Sequence, residues 1–164
     1  FEKDRPIVAL LNIGSEELKG NAMIKDTYKI LNEKKYSLFK FKGFIEGNNI
    51  MDGNVNVIVA DGFTGNIALK TAEGTSNFII SELRKALTNS IIGKISSFIN
   101  YSNLKNFKNK LDPRLYNGAI LLGLDKPVIK SHGSTDSIGF ANSLKVCEKT
   151  IRGKLIDQIK DNIN

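Results

Sequence analysis

The sequence predicts an α/β fold built on a mainly parallel sheet, and three features carry that prediction. Short apolar runs alternate with longer segments whose apolar residues recur at helical spacing. The first run, Pro6-Ile7-Val8-Ala9-Leu10-Leu11, is apolar without alternation, as a strand covered on both faces should be. The runs end in polar loops that contain glycine, the place where open parallel sheets bind ligands.

The elements follow in order. After the first strand comes a loop, Ser15 to Gly20, then a helix in which Ile24, Tyr28 and Leu31 recur up to Glu33-Lys34-Lys35. A second strand forms around Leu38, Phe39 and Phe41 and runs to Glu46-Gly47, and a third, Val55 to Ala60, stops at Asp61-Gly62. Beyond Asn66 the spacing of Ile79, Leu83 and Leu87 predicts a helix toward Ser90 that tolerates Gly74. From Ile91 to Lys110 isoleucines and Phe98 mix with lysines in an amphipathic segment, which Asp112-Pro113 ends, because proline cannot donate a backbone hydrogen bond. Ala119 to Leu122 and Pro127 to Ile129 read as short strands about a Gly123-Leu124-Asp125-Lys126 turn. A terminal helix then carries Leu144, Cys147, Ile151, Leu155 and Ile159 on one stripe.

At 164 residues and 41% hydrophobic content, the chain is long enough for one domain with a core and too short for two full ones. It begins at Phe1 and enters an apolar run at once, which reads as a cut piece of a longer protein. One cysteine precludes an internal disulfide and suits a reducing, cytoplasmic setting; one cysteine with one histidine makes a structural metal centre unexpected. No apolar run reaches the length of a membrane span, so membrane contact would be peripheral. The net charge of +7 suits anionic partners: phosphate, an acidic carrier protein, anionic lipid or nucleic acid. Nucleic acid is the weakest of these, since the basic residues are scattered and no reader motif with interleaved aromatics occurs.

The loops after the strands hold the candidate site: Asn12 to Asn21, Glu46 to Asp52, Asp61 to Asn66, and Lys130 to Ser134. In Asp61-Gly62-Phe63-Thr64-Gly65-Asn66 two glycines let backbone approach a ligand and the next helix offers N–H groups to an oxyanion; a plain strand-to-helix turn is the competing reading. Lys19-Gly20-Asn21 precedes a helix, so a lysine charge and N-terminal donors converge there, unless Lys19 is simply solvated. His132-Gly133-Ser134 holds the chain's histidine, placed either to contact phosphate or a leaving group or to serve structure. Asp136 reads as the N-cap of the terminal helix. Asp61, His132 and Ser134 have the composition of a hydrolase triad, with no spacing that establishes its geometry.

Taken together, Leu11-Asn12-Ile13-Gly14, Lys19-Gly20-Asn21, Glu46-Gly47, Asp52-Gly53, Asp61-Gly62-Phe63-Thr64-Gly65-Asn66, Leu122-Gly123 and His132-Gly133-Ser134 resemble the successive motifs of the bacterial phosphate acyltransferase family. Lys70, Glu73-Gly74 and Tyr116-Asn117-Gly118-Ala119 fall between them in the same order. The resemblance covers nearly the whole chain as the C-terminal portion of such an enzyme, and nothing here corresponds to the family's N-terminal half with its Asp-Ala-Met-Gly-Gly-Asp motif. It implies a three-layer α/β/α fold similar to isocitrate and isopropylmalate dehydrogenases, a homodimer, and no cofactor. It also implies a reaction in which inorganic phosphate attacks the thioester of an acyl carrier protein to give acyl phosphate for phospholipid synthesis.

On that basis Lys19 and Asn21 are expected to orient phosphate or thioester. The Gly62 to Asn66 backbone, with Asn66, would bind an oxyanion, Asp61 would orient donors, and His132 with Ser134 would add a polar contact. Asn12, Gly14, Gly20, Glu46, Thr64 and Gly133 would line the site. Family members also associate with the inner face of the membrane and imply contact with a membrane acyltransferase. Here Ile91, Ile92, Ile95, Phe98 and Ile99, with Lys105, Lys108 and Lys110, are the residues to supply membrane contact or a dimer interface. Two alternatives remain in view: a phosphotransacetylase-like enzyme using acyl-coenzyme A, and a catalytically silent dimerising or membrane-docking module.

Overall fold

A computed structural model describes residues 5–133 and 135–163; the candidate residue Ser134 lies outside them. The chain divides into two compact units, Phe1–Ala72 and Glu73–Asn164.

The first unit is a parallel sheet of strands β1 (Ile7–Asn12), β2 (Lys40–Glu46) and β3 (Val57–Val59) in the order β2-β1-β3, with helix α1 (Ala22–Glu33) between the first two. The central position of β1 explains its unbroken apolar run, because it must be covered on both faces. Ala9 and Leu11 pack with Ile45 on one face, where Ile50, Val55, Ile58 and Ala68 close over them. On the other, Leu10 lies beside Phe44, and the ring of Tyr28 from α1 sits 4.6 Å from Phe44 and 5.9 Å from Phe41.

That aromatic trio depends on an irregularity in register. Val8 pairs with Phe41 but Ala9 with Gly43, so Lys42 is an extra residue, and the slip turns Phe41 and Phe44 to one face although three positions separate them. Gly43, at φ +93, lies where a side chain would meet the Tyr28 ring at 3.4 Å. With α1 over one face and Ala68 of the following helix over the other, this unit has helix on both sides of a parallel sheet.

Helix α2 (Gly62–Thr88) runs from the first unit into the second. It begins earlier than the sequence reading, inside the segment taken as a glycine-rich loop, because Asp61 caps it and neither Gly62 nor Gly65 adopts positive φ. The amphipathic segment is two helices, α3 (Ile91–Ile99) and α4 (Tyr101–Lys110), divided at Asn100. At the α2–α3 corner Ser90 Oγ accepts the Gly93 N–H at 3.0 Å, and Gly93 sits so close to the Leu87 carbonyl that no side chain fits.

A 3-10 turn, Pro113–Tyr116, leads to an antiparallel pair shorter than expected, β4 (Ala119–Ile120) and β5 (Ile129–Lys130). The expected terminal helix is two, α5 (Ser137–Arg152) and α6 (Leu155–Ile163), broken at Gly153-Lys154, where Lys154 takes φ +49. Its buried stripe is also different from the sequence reading. Gly139, Ser143 and Thr150 are buried while Leu144 and Ile151 are exposed, since small residues let the backbone at Gly118 approach α5. A side chain at Gly118, φ +119, would press on Val146 at 3.1 Å and on the Ser143 backbone at 3.2 Å.

Candidate functional site

Parallel pairing sends the carboxyl ends of β1, β2 and β3 to one edge of the first unit's sheet. Asn12 pairs in register with Glu46, and Leu10 with Val59, so the loops beginning at Asn12, Glu46 and Asp61 all leave from that edge. The structure thus brings together Asn12, Gly14, Lys19, Gly20, Asn21, Glu46, Asp61, Gly62, Thr64, Gly65 and Asn66, as expected of an open parallel sheet. His132 and Gly133 belong to the second unit.

Asn12 is the anchor of the first loop. It is buried, and its Nδ2 donates to the Lys19 carbonyl at 3.1 Å, folding the 13–20 segment back over the strand end. Its Oδ1 is buried without a hydrogen-bond partner and faces Gly20, at φ +91, where a Cβ would lie 2.3 Å away. Only glycine fits there. Gly14 is less constrained, since a Cβ there would meet only the exposed side chains of Glu16, at Oε2 2.6 Å, and Lys19, at Cγ 3.0 Å, which can move aside. The result is a compact turn, closed by Lys19 N–H to the Glu16 carbonyl at 3.0 Å, that delivers an exposed Lys19 to the start of α1.

Asn21 caps that helix: its Oδ1 accepts the Ile24 N–H at 2.9 Å. With the oxygen engaged, the amide Nδ2 is the part of the side chain left to meet a ligand, and it is a donor. A donor amide, a lysine charge and the first N–H groups of α1 suit an anion.

The start of α2 is electrostatically different. Asp61 Oδ1 accepts the Thr64 N–H at 2.8 Å, and the Asp61 carbonyl accepts the Gly65 N–H at 2.9 Å. The Thr64 hydroxyl and then its backbone N–H hold the Asp61 carboxyl below the usual carboxylate range, so this helix end already carries its own anion. The Thr64 and Gly65 donors are therefore spoken for, while Asn66 is exposed in the first turn. Glu46 borders a cavity of about 150 Å³ shared with Ser15, Lys42, Asn49 and Asp52.

In the second unit Asn117 organises the histidine loop. Its Nδ2 lies 2.8 Å from Ser131 Oγ, 2.9 Å from Thr135 Oγ1 and 3.0 Å from the Gly139 carbonyl, and its Oδ1 accepts the His132 N–H at 3.0 Å. Buried Ser143 adds contacts to Ser131 Oγ at 3.0 Å and to the Gly139 carbonyl at 3.2 Å. The His132 imidazole Nε2 stands 3.9 Å from Glu73 Oε2.

Asp136 caps α5, as the sequence suggested, through the Gly139 N–H at 3.0 Å. Arg114 joins it to Asp112, with contacts of 2.7 Å to Asp136 and 2.6 Å to Asp112. Both carboxyls are held low, Asp112 chiefly by the Arg114 guanidinium and Asp136 by the Gly139 N–H and then by Arg114.

Sequence reading passed over the roles of Asn117, Arg114 and Glu73. The Asn-Gly pair ahead of a strand, and aspartate before proline, were the available signals. Among the described residues no group of three or more His, Cys, Asp or Glu is placed to hold a metal ion. Among the described residues no helix is long and apolar enough to cross a membrane.

With this edge and its loops in place, relatives of the chain become informative. A family model described as "Fatty acid synthesis protein" matches residues 1–157. The chain belongs to that family. It is 67% identical over 163 residues, 99% of this chain and 49% of the relative, to a protein of Pelagibacter ubique named phosphate acyltransferase. Proteins of the same name from Rhodospirillum rubrum and Agrobacterium fabrum are 44% and 42% identical over 98% and 99% of this chain, each covered to 46% of its own length. The chain spans about half the length of the curated relatives it matches.

Proposed function

We propose that the chain is part of an acyltransferase that forms acyl phosphate from an acyl-carrier-protein thioester and inorganic phosphate. The observation that carries this reading is the 67% identity, across 99% of the chain, to a protein named phosphate acyltransferase. A phosphate oxygen attacks the thioester carbonyl carbon, the C–O bond forms through a tetrahedral oxyanion, the C–S bond breaks, and the carrier's thiol is released.

Phosphate is a competent nucleophile near neutral pH, so the protein's task is to hold two anionic centres together with N–H dipoles and lysine rather than to supply a nucleophilic side chain. The start of α1 is the better phosphate cradle: Lys19, the Asn21 amide and the open first-turn N–H groups converge without a competing carboxylate cap. At α2 Asp61 orients the first turn, drawing on the N–H groups of Phe63 and Thr64, and Asn66 supplies a side-chain donor to the oxyanion. His132, which belongs to the second unit, is the proposed source of a supporting polar contact.

In the chain completed to the length of its relatives, Lys19→Ala and Asn66→Ala should each lower acyl-phosphate turnover at least about tenfold, the size of one lost charge-assisted hydrogen bond. Near-unchanged turnover by both would contradict these assignments.

A docking role for α3 and α4 is supported by exposure. Ile91, Ile92, Phe98 and Ile99 are 78%, 81%, 83% and 76% exposed, an apolar surface next to Lys105 and Lys108 that suits an anionic membrane or a second copy of the chain. Flotation with anionic vesicles separates these occupants: a Lys105, Lys108 and Lys110 charge reversal abolishes binding to membrane and leaves a homodimer intact. Retained flotation after reversal would count against these lysines as the membrane contact.

A further inference from the structure

We infer that Asn117 is a positioning residue: its side-chain amide fixes the loop that carries His132. The inference rests on the acyltransferase reading only for the chemical consequence, because the hydrogen bonding stands by itself. An asparagine side chain offers one acceptor oxygen and two donor hydrogens. Asn117 spends the oxygen on the backbone N–H of His132, and its two hydrogens face three acceptors, Ser131 Oγ, Thr135 Oγ1 and the Gly139 carbonyl, so that one hydrogen is shared. One amide thus ties the residue before His132, His132 itself, the end of its loop and the first turn of α5.

The surroundings leave it little freedom. Gly139 is buried with room for no side chain, since a Cβ there would collide with Thr135 Oγ1 and come within 3.2 Å of Asn117 Nδ2. Gly118, at φ +119 and packed on Ser143 and Val146, sets the direction in which Asn117 leaves the backbone. The loop is also tied by the Thr135 N–H to the His132 carbonyl at 3.1 Å and by Ser143 Oγ to Ser131 Oγ at 3.0 Å. Its flanking strand β5 is two residues long, and the ribbon it forms with β4 has no third strand among the described residues. A segment so weakly held by sheet takes its conformation from side-chain hydrogen bonds.

Loss of this amide should therefore displace His132 relative to its neighbours, including Glu73, whose Oε2 is 3.9 Å from Nε2. Asparagine is suited to the task and its isosteres are not. Aspartate keeps the acceptor for His132 N–H but turns a donor toward the Gly139 carbonyl into a repelling oxygen, and alanine removes both halves.

The test uses the chain completed to the length of its relatives, with wild type, Asn117→Ala, Asn117→Asp, His132→Ala and the Asn117→Ala/His132→Ala double variant. Amide exchange is read first. Protection of the His132 N–H and of its neighbours at 131–135 should fall at least about tenfold in Asn117→Ala, with β1 and α5 residues beyond the first turn unchanged. Asn117→Asp, which keeps the shape and covers the case in which alanine prevents folding, should weaken the same amides less. Unaltered protection at His132, or loss spread evenly over the protein in both variants, would overturn the inference.

Acyl-phosphate formation is read second. Asn117→Ala should lower kcat/KM about tenfold in the wild-type background and less than about twofold when His132 is already alanine, as expected if one residue acts through the other. Fully additive losses would also overturn it. Wild-type turnover by His132→Ala would instead refute the catalytic contact assigned to the histidine, and the exchange result would then decide the loop-holding role by itself.

Discussion

The loop that carries Lys19 hangs from the buried end of a central strand, whereas the loop that carries His132 hangs from a cluster of polar side chains beside a two-stranded ribbon. Each is held by an asparagine amide, but the consequences differ. Asn12 is buried at the end of the central strand, so the loop above it is shaped by contact: Gly20 is required because a Cβ there would collide with Asn12 Oδ1. Asn117 is fixed by directional hydrogen bonds to Ser131, Thr135 and Gly139, so its loop is shaped by donor and acceptor matching. Steric anchoring fails by unfolding the neighbourhood, and polar anchoring fails by local displacement.

The comparison breaks most sharply at glycine. Gly20→Ala combines a left-handed backbone with a Cβ 2.3 Å from Asn12 Oδ1, and should cost about 2–4 kcal/mol in urea unfolding. Gly118→Ala meets Val146 and Ser143 at just over 3 Å, also at positive φ, and should cost about 1–3 kcal/mol. Gly62→Ala provides the contrast within the same sheet edge. Its site is helical and open, so the change should stabilise by up to about 1 kcal/mol while leaving the backbone N–H groups available. A Gly62→Ala variant as unstable as Gly20→Ala would show that the α2 start is not the helix turn described.

Acid tests the Arg114 cluster of the second unit. Asp112 and Asp136 titrate below their unfolded values, so their stabilisation is fully present above about pH 4, the unfolded carboxylate value, and is lost as pH falls through the lower folded values. Arg114 stays charged throughout that window. Thermal unfolding followed from pH 5 to pH 2 should therefore show an acid-dependent loss in the second unit that Arg114→Ala flattens; an unchanged pH slope in that variant would refute the linkage.

The smallest expected effect lies on α3. Because Ile92 and Phe98 are exposed, Ile92→Lys and Phe98→Lys should move stability by no more than about 0.5 kcal/mol while reducing any association made by that surface, as read by sedimentation and vesicle flotation. A larger loss of stability would mean that these side chains are covered in the folded protein.

Much of the first unit was legible in the sequence because its signals are local. The continuous run at 6–11 gave a doubly covered strand, and the runs ending at Asn12, Glu46 and Asp61 marked strand ends that parallel pairing places on one edge. The helix start at Gly62 was hidden because glycine suggests a loop, while the deciding contact is the Asp61 cap on Thr64. The second unit was less readable for a different reason. Asn117 acts through residues 14 to 22 positions away, a separation that no periodicity reveals. The stripe Leu144, Ile151 looked like the core face of the last helix, yet the buried residues are Gly139, Ser143 and Thr150, with the Gly118 backbone packed close to Ser143 and Thr135 packed close to Gly139. The break at Gly153-Lys154 then turns α6 away from the single helix that the spacing of Leu155 and Ile159 suggested.

The most direct test is acyl-phosphate formation from acyl-carrier protein and inorganic phosphate, measured with this chain alone and with the chain joined by the remaining part of a relative. Product in the joined sample, lost when Lys19 is replaced by alanine, is the predicted result. No product in a joined sample shown to associate and fold would contradict the acyltransferase reading and favour an interaction module.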